Sequence, residues 1–138
     1  MHDSFDASLA LTAILRFPNE KLCLKTIQKI QKHLAFGKSD LEKSSFYRYL
    51  RKDDFEKPKS AFVICSFWVA QALARLGNKA EAKNVLENAL SAANNLGLFS
   101  EHYNPNTKMQ LGNFPQAYSH VGLINAAFMV SPQWHEIL

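Results

Sequence analysis

The chain has 138 residues, 47% of them apolar and 12% aromatic, which is ordinary for one domain with a packed core. Its net charge of +4 is scattered, with Lys21, Lys25, Lys29 and Lys32 on one helix face and Lys38, Lys43, Arg48, Arg51 and Lys52 in a loop, so it reads as solvated surface and argues against nucleic acid. Residues 1–8, MHDSFDAS, lack the basic start and apolar run of a signal peptide, and the apolar run over 61–70 is too short to span a membrane, so a soluble, cytoplasmic, single domain over 1–138 is expected.

Asp6 is placed to cap a first helix whose Leu9, Leu11, Ala13, Ile14 and Leu15 are apolar nearly all round, which predicts burial on most sides. Phe17-Pro18 ends it, because the residue before proline disfavours helical dihedrals. Asn19 then caps a second helix over 20–34, with Leu24, Ile27, Ile30 and Leu34 at helical spacing and lysines opposite. Residues 37–59 are polar and charged. A third helix over 60–76, SAFVICSFWVAQALARL, is apolar on every face of its first ten positions, and Gly77 is a natural terminator. The fourth, over 79–95, carries one stripe of Ala82, Val85, Leu86, Ala89 and Leu90, with charges facing away. Pro115 opens a fifth, mostly apolar helix over 115–130, and Ser131-Pro132 breaks it.

Helices one, three and five are thus apolar around most of their circumference, whereas two and four are amphipathic. Such alternation of inner and outer helices suits an α-solenoid or a ring of helical hairpins, and it suits a four-helix bundle poorly. No strand pattern is visible, so the fold class is all-α. The long connections lead into inner helices and the tight ones lead out, which gathers the long loops at one end, where a site is built.

The longest of these connections, 97–120, is GLFSEHYNPNTKMQLGNFPQAYSH. Its aromatic and aliphatic content says that it folds onto something rather than being disordered. It holds one carboxylate, Glu101, amid aromatics and amides, a composition that fits a neutral, hydroxyl-rich ligand. Cys23 and Cys65 read as buried free thiols of a reducing compartment. His120, on an apolar helix, reads as a hydrogen-bonded structural group. His2, His33, His102 and His135 stand far apart, with no metal spacing, and no cofactor motif is present.

Several segments resemble the C-terminal part of the glucoamylase-like and trehalase-like catalytic domain of glycoside hydrolase family 15. They are Asp6-Ala7-Ser8-Leu9, Tyr47-Arg48-Tyr49, Phe62-Val63-Ile64-Cys65-Ser66-Phe67-Trp68 and Gly97-Leu98-Phe99-Ser100-Glu101. The most specific is Gln110-Leu111-Gly112-Asn113-Phe114-Pro115-Gln116-Ala117-Tyr118-Ser119-His120. The resemblance implies an arc of an (α/α)6 toroid with its site at the long-loop end. It also implies hydrolysis of α-glucosides, of starch type or trehalose, with inversion at the anomeric carbon. Glu101 becomes the general base, Arg48 a partner of sugar hydroxyls, and Tyr49, Phe62 and Tyr118 stacking or lining groups. The chain departs from the family at Glu56-Lys57-Pro58-Lys59, where a glycine-rich segment is usual, and at His102, where a second acid or an amide is common.

An inverting glycosidase needs a protonated carboxyl as well as a base. By resemblance the acid belongs to the first half of the ring, which these residues do not include. Asp53, Asp54 and Glu56 sit in a charged run that reads as a solvated loop. The expectation is therefore the base side of a glycosidase, inactive alone, with uncovered arc ends that self-associate as a homodimer or take up the missing half. The competing reading, a tetratricopeptide-like scaffold, rests on the hairpin around Ala72-Leu73-Ala74-Arg75-Leu76-Gly77, but no repeat near 34 residues accompanies it.

Overall fold

Asp6, in extended backbone, accepts the Ser8 N–H at 2.8 Å and opens a 3-10 turn, Ala7–Ala10, that runs into α1, Leu11–Ile14. This is the start of a computed structural model that describes residues 5–54 and 56–132. Asn19 caps α2, Glu20–Leu34, by accepting the Leu22 N–H at 2.9 Å. Cys23, Ile27, Ile30 and Leu34 form its buried stripe. A short helix, α3, Asp40–Lys43, follows in the polar stretch. Ser39 and Glu42 make a reciprocal capping box there, satisfying two N–H groups that a helix start otherwise leaves bare.

The centre of the fold is α4, Val63–Arg75, in which every residue from 63 to 74 is buried. A helix apolar all round must be enclosed on all sides, and α1, α2, α5 (Lys79–Leu90) and α6 (Ala117–Val130) all pack against it. Gly77 closes α4 in the left-handed region at φ 84°, with its N–H on the Ala74 carbonyl (3.1 Å) and the Asn78 N–H on Leu73 (2.9 Å). That is a Schellman cap. The outer helix α5 buries Ala82, Val85, Leu86 and Ala89 and leaves Leu90 43% exposed.

Three expectations need correction. Strands are present: β1 (Ala61–Phe62), β2 (His102–Asn104) and β3 (Met109–Leu111) form an antiparallel sheet in the order β1-β2-β3, with Phe62 opposite His102 and His102 opposite Leu111. The long connection is thus a hairpin docked on the entry to α4, and the fold remains mostly helical. The first helix is not buried on most sides. Its alanines Ala7, Ala10 and Ala13 face the core, but Leu9 is 40% and Leu15 77% exposed. Nor is α6 enclosed, since only Ser119, Gly122 and Ala126 are buried. Among the described residues α6 packs on α4 and α5, while Val121, Ile124 and Phe128 stay 52%, 53% and 74% exposed.

Gly122 explains how closely α6 approaches α4. A Cβ there would lie 2.3 Å from Ile64 Cδ1 and 3.1 Å from two Phe67 atoms. By helix propensity Gly→Ala gains up to ~1 kcal/mol, but overpacking costs about 1–3 kcal/mol. Gly122→Ala is therefore expected to lower the thermal midpoint, and a stabilised variant would mean that the two helices are not in this contact.

Candidate active site

Glu101 stands just before β2, pinned by its backbone on both sides. Its N–H donates to the Asn113 carbonyl at 2.9 Å, and its carbonyl accepts the Val63 N–H, the first of α4, at 3.0 Å. Its Oε2 accepts from Asn113 twice, from the backbone N–H (3.2 Å) and from Nδ2 (3.1 Å). Gly112 makes this approach possible. It sits at φ 76°, and a Cβ on it would come within 2.8 Å of Oε2. The other carboxylate oxygen, Oε1, takes no hydrogen bond among the described residues. One oxygen is anchored and one is open.

That carboxylate lines a pocket of about 620 Å³, together with Arg48, Tyr49 and Phe62. Four of the five site residues expected from the sequence therefore meet in one cavity, although they come from three separate segments. The fifth, Tyr118, lies at the first turn of α6, 48% exposed, with its ring edge-on to Trp68 at 5.9 Å, and is not among the lining residues. Phe62 stacks on His102, centroids 4.9 Å apart and planes 27° from parallel. Tyr49 donates its hydroxyl to Asp53, a bond that holds the Tyr49 phenol above its usual range, and the Arg51 guanidinium lies 4.7 Å over its ring.

Asp6, Asp53 and Glu56 also line the pocket. The reading of 53–56 as a merely solvated loop is thus corrected for Asp53, which is half-buried and hydrogen-bonded. The signal was hidden, because alternating charge in a loop looks the same whether or not the loop folds back. All three of these carboxylates are engaged as acceptors. Asp6 pairs with Arg48 Nε at 3.2 Å, Asp53 accepts from Tyr49, and Glu56 pairs with Lys52 at 3.1 Å.

His120 has the structural role expected of it: its Nε2 accepts the Phe99 N–H at 3.2 Å, which requires a bare nitrogen there. It ties the start of α6 to the strand-side segment that carries Glu101. Ser119 adds a second tie, its hydroxyl donating to the Ser100 carbonyl at 2.9 Å. Cys23 and Cys65 are buried free thiols, and burial pushes the Cys65 thiol far up.

Burial pushes the His102 imidazole below its usual 6.5, with the charge of Glu101 opposing. As its folded value is the lower one, the unfolded chain binds more protons below about pH 6.5. Stability from this group is complete above that pH and falls as pH drops toward the folded value. Thermal midpoints measured across pH 5–8 are expected to show this acid-side slope, and His102→Gln is expected to flatten it.

The (α/α) arrangement and the pocket define a helical-hairpin protein with a carboxylate-lined cavity. The family model for glycosyl hydrolases family 15 matches residues 2–128, and the chain belongs to that family. The fold of that family is an (α/α)6 toroid, of which these helices form an arc, and the tetratricopeptide-like reading gives way. The chain is 37% identical over 131 residues to a trehalase of Mycolicibacterium smegmatis and equally to one of Mycobacterium tuberculosis. It is 35% identical over 126 residues to a trehalase of Thermoplasma volcanium. These alignments cover 90–93% of this chain and 19% of each relative, so the chain spans about a fifth of the length of the curated relatives it matches. No solved structure matches it significantly. No helix among the described residues is long and apolar enough to cross a membrane.

Proposed function

We propose that these residues form the general-base side of an inverting α-glucoside hydrolase, with trehalose as the favoured substrate and starch-type oligosaccharides next. The observation that carries this is the Glu101 carboxylate, with Oε2 held by Asn113 and Oε1 without a hydrogen bond among the described residues, on a residue that lines a pocket with Arg48, Tyr49 and Phe62. In the reaction, Oε1 takes a proton from a water whose oxygen attacks the anomeric carbon from the face opposite the leaving group. The glycosidic C–O bond breaks, and an acid protonates the departing oxygen. Base and acid stand roughly 6.5–9.5 Å apart so that the water fits. Arg48 hydrogen-bonds sugar hydroxyls, and Tyr49 and Phe62 offer ring faces to the sugar, with Tyr118 reaching it once the ring is complete.

The acid is not one of the other carboxylates around this pocket. A general acid needs a proton to give, whereas Asp6 and Glu56 are ion-paired and Asp53 accepts from Tyr49. The acid therefore comes from elsewhere in the toroid, and the 138 residues alone do not turn over substrate. Copies of the chain by itself pair through the outward face of α6.

A chimera tests this reading. The 131-residue matching segment of the Mycolicibacterium smegmatis trehalase is replaced by this chain. Hydrolysis of trehalose with release of the β-anomer is expected. A folded chimera inert toward trehalose and maltose overturns the proposal.

A further inference from the structure

Asp6 belongs to the Asp6-Ala7-Ser8-Leu9 segment, and nothing in the base chemistry uses it. Its two oxygens do different work. Oδ1 accepts the Ser8 N–H at 2.8 Å and caps the first turn, while Oδ2 accepts from Arg48 Nε at 3.2 Å. The backbone repeats the link, because the Ala7 N–H donates to the Arg48 carbonyl at 2.7 Å. Both main chain and side chain of Arg48 are thus held on the first element, 42 positions away in sequence.

Capping alone does not call for this arrangement. Asn, Ser or Asp cap a helix start about equally well. A carboxylate differs in offering a second, charged acceptor, and here that acceptor is spent on Arg48. A guanidinium is planar, so fixing Nε fixes the direction of its terminal fork. Those terminal nitrogens have no partner among the described residues, and Arg48 lines the pocket with Glu101.

We infer that Asp6 is a positioning residue: it orients the Arg48 fork toward the sugar hydroxyls through the Oδ2–Nε ion pair. This rests on the reading of the pocket as a sugar site and deepens it. Asp6 makes no contact with the sugar itself. It couples the first turn of the chain to binding in a way that a simple cap does not.

The test is a double-mutant cycle on the 138-residue chain, with trehalose titrated by NMR and folding followed by thermal midpoint. Asp6→Asn keeps a capping oxygen and removes the charge facing Arg48. It is expected to weaken trehalose binding ~10-fold, as losing a charge-assisted contact does. In an Arg48→Ala background the same change is expected to do nothing more, because its effect runs through Arg48. Arg48→Lys, which retains a cation beside Asp6 but not the fork, is expected to bind as weakly as Asp6→Asn with an unchanged midpoint, and it serves even if Asp6→Asn does not fold. Unchanged binding in Asp6→Asn, an equal loss in both backgrounds, or wild-type binding in Arg48→Lys overturns the inference while leaving the sugar site standing. A wild-type chain that binds neither trehalose nor maltose overturns the inference, while the chimera decides the sugar site separately.

Discussion

Glu101→Gln in the chimera is expected to lower kcat on trehalose by ~10²–10⁴-fold, the usual worth of a general base. KM is expected to change little. The substitution is nearly isosteric, and an amide oxygen still accepts from Asn113 N–H and Nδ2, so the β2 region stays in place. What is lost is the open Oε1 that takes the proton from water. The loss should be confined to kcat, since only the transition state calls on the base. Asn113→Ala separates geometry from chemistry. It leaves the carboxylate and the backbone N–H bond to Oε2 but removes the Nδ2 donor, and a smaller loss is expected, because a base held by one bond instead of two has less of the positioning that makes a near-attack arrangement effective. A Glu101→Gln chimera with full activity would remove Glu101 from the mechanism. Turnover by the isolated 138-residue chain, lost on Glu101→Gln, would mean that one of Asp6, Asp53, Asp54 or Glu56 carries a proton after all.

The sequence made the helices legible where periodicity and punctuation agreed. Asn19 before an apolar stripe and Gly77 after an apolar run marked α2 and the end of α4 to within a residue or so, since both act through local backbone geometry. The sheet was not legible. Its strands are two or three residues long, shorter than the window in which alternation shows, and the hairpin between them carries Asn104 and Pro105. Nor was α3 read: Ser39 and Glu42 have capping-box spacing, but the charged stretch around them concealed the signal. In the pocket, Glu101 stood out by the composition of its loop and took its role from resemblance, Arg48 came from resemblance, and the engagement of Asp6 and Asp53 depends on contacts that folding creates. Apolar coverage likewise says that a helix face needs cover, but not which neighbour provides it. That is why α6 reads as buried in sequence and stands half-open in the fold.

The open face of α6 is expected to make the isolated chain dimerise in the micromolar range or weaker. Tyr118, Val121, Ile124 and Phe128 lie along one side of the helix and are 48%, 52%, 53% and 74% exposed. No Asp, Glu, Lys or Arg occurs between residues 109 and 132, so two chains of net charge +4 meet there without opposing like charges. The order of the side chains is also self-complementary. In an antiparallel two-fold contact Tyr118 faces Phe128, and Val121 faces Ile124, so large rings meet at the ends and smaller branches at the middle. Fully burying such a side chain is worth ~1.5–3 kcal/mol. Eight of them, on average about half covered already, return on the order of 6–12 kcal/mol, and association costs ~4–15 kcal/mol. The balance is marginal, which sets the concentration range. Sedimentation velocity between 1 and 200 µM is expected to show a monomer–dimer equilibrium that added salt does not weaken, as an uncharged face requires. Val121→Lys, at an exposed position, is expected to leave the thermal midpoint nearly unchanged and to abolish the dimer. A monomer at every concentration, or a dimer that survives Val121→Lys, would show that α6 is not the contact. The chimera supplies the internal control: on the proposed reading the rest of the toroid covers α6, and the salt-insensitive association is expected to disappear there.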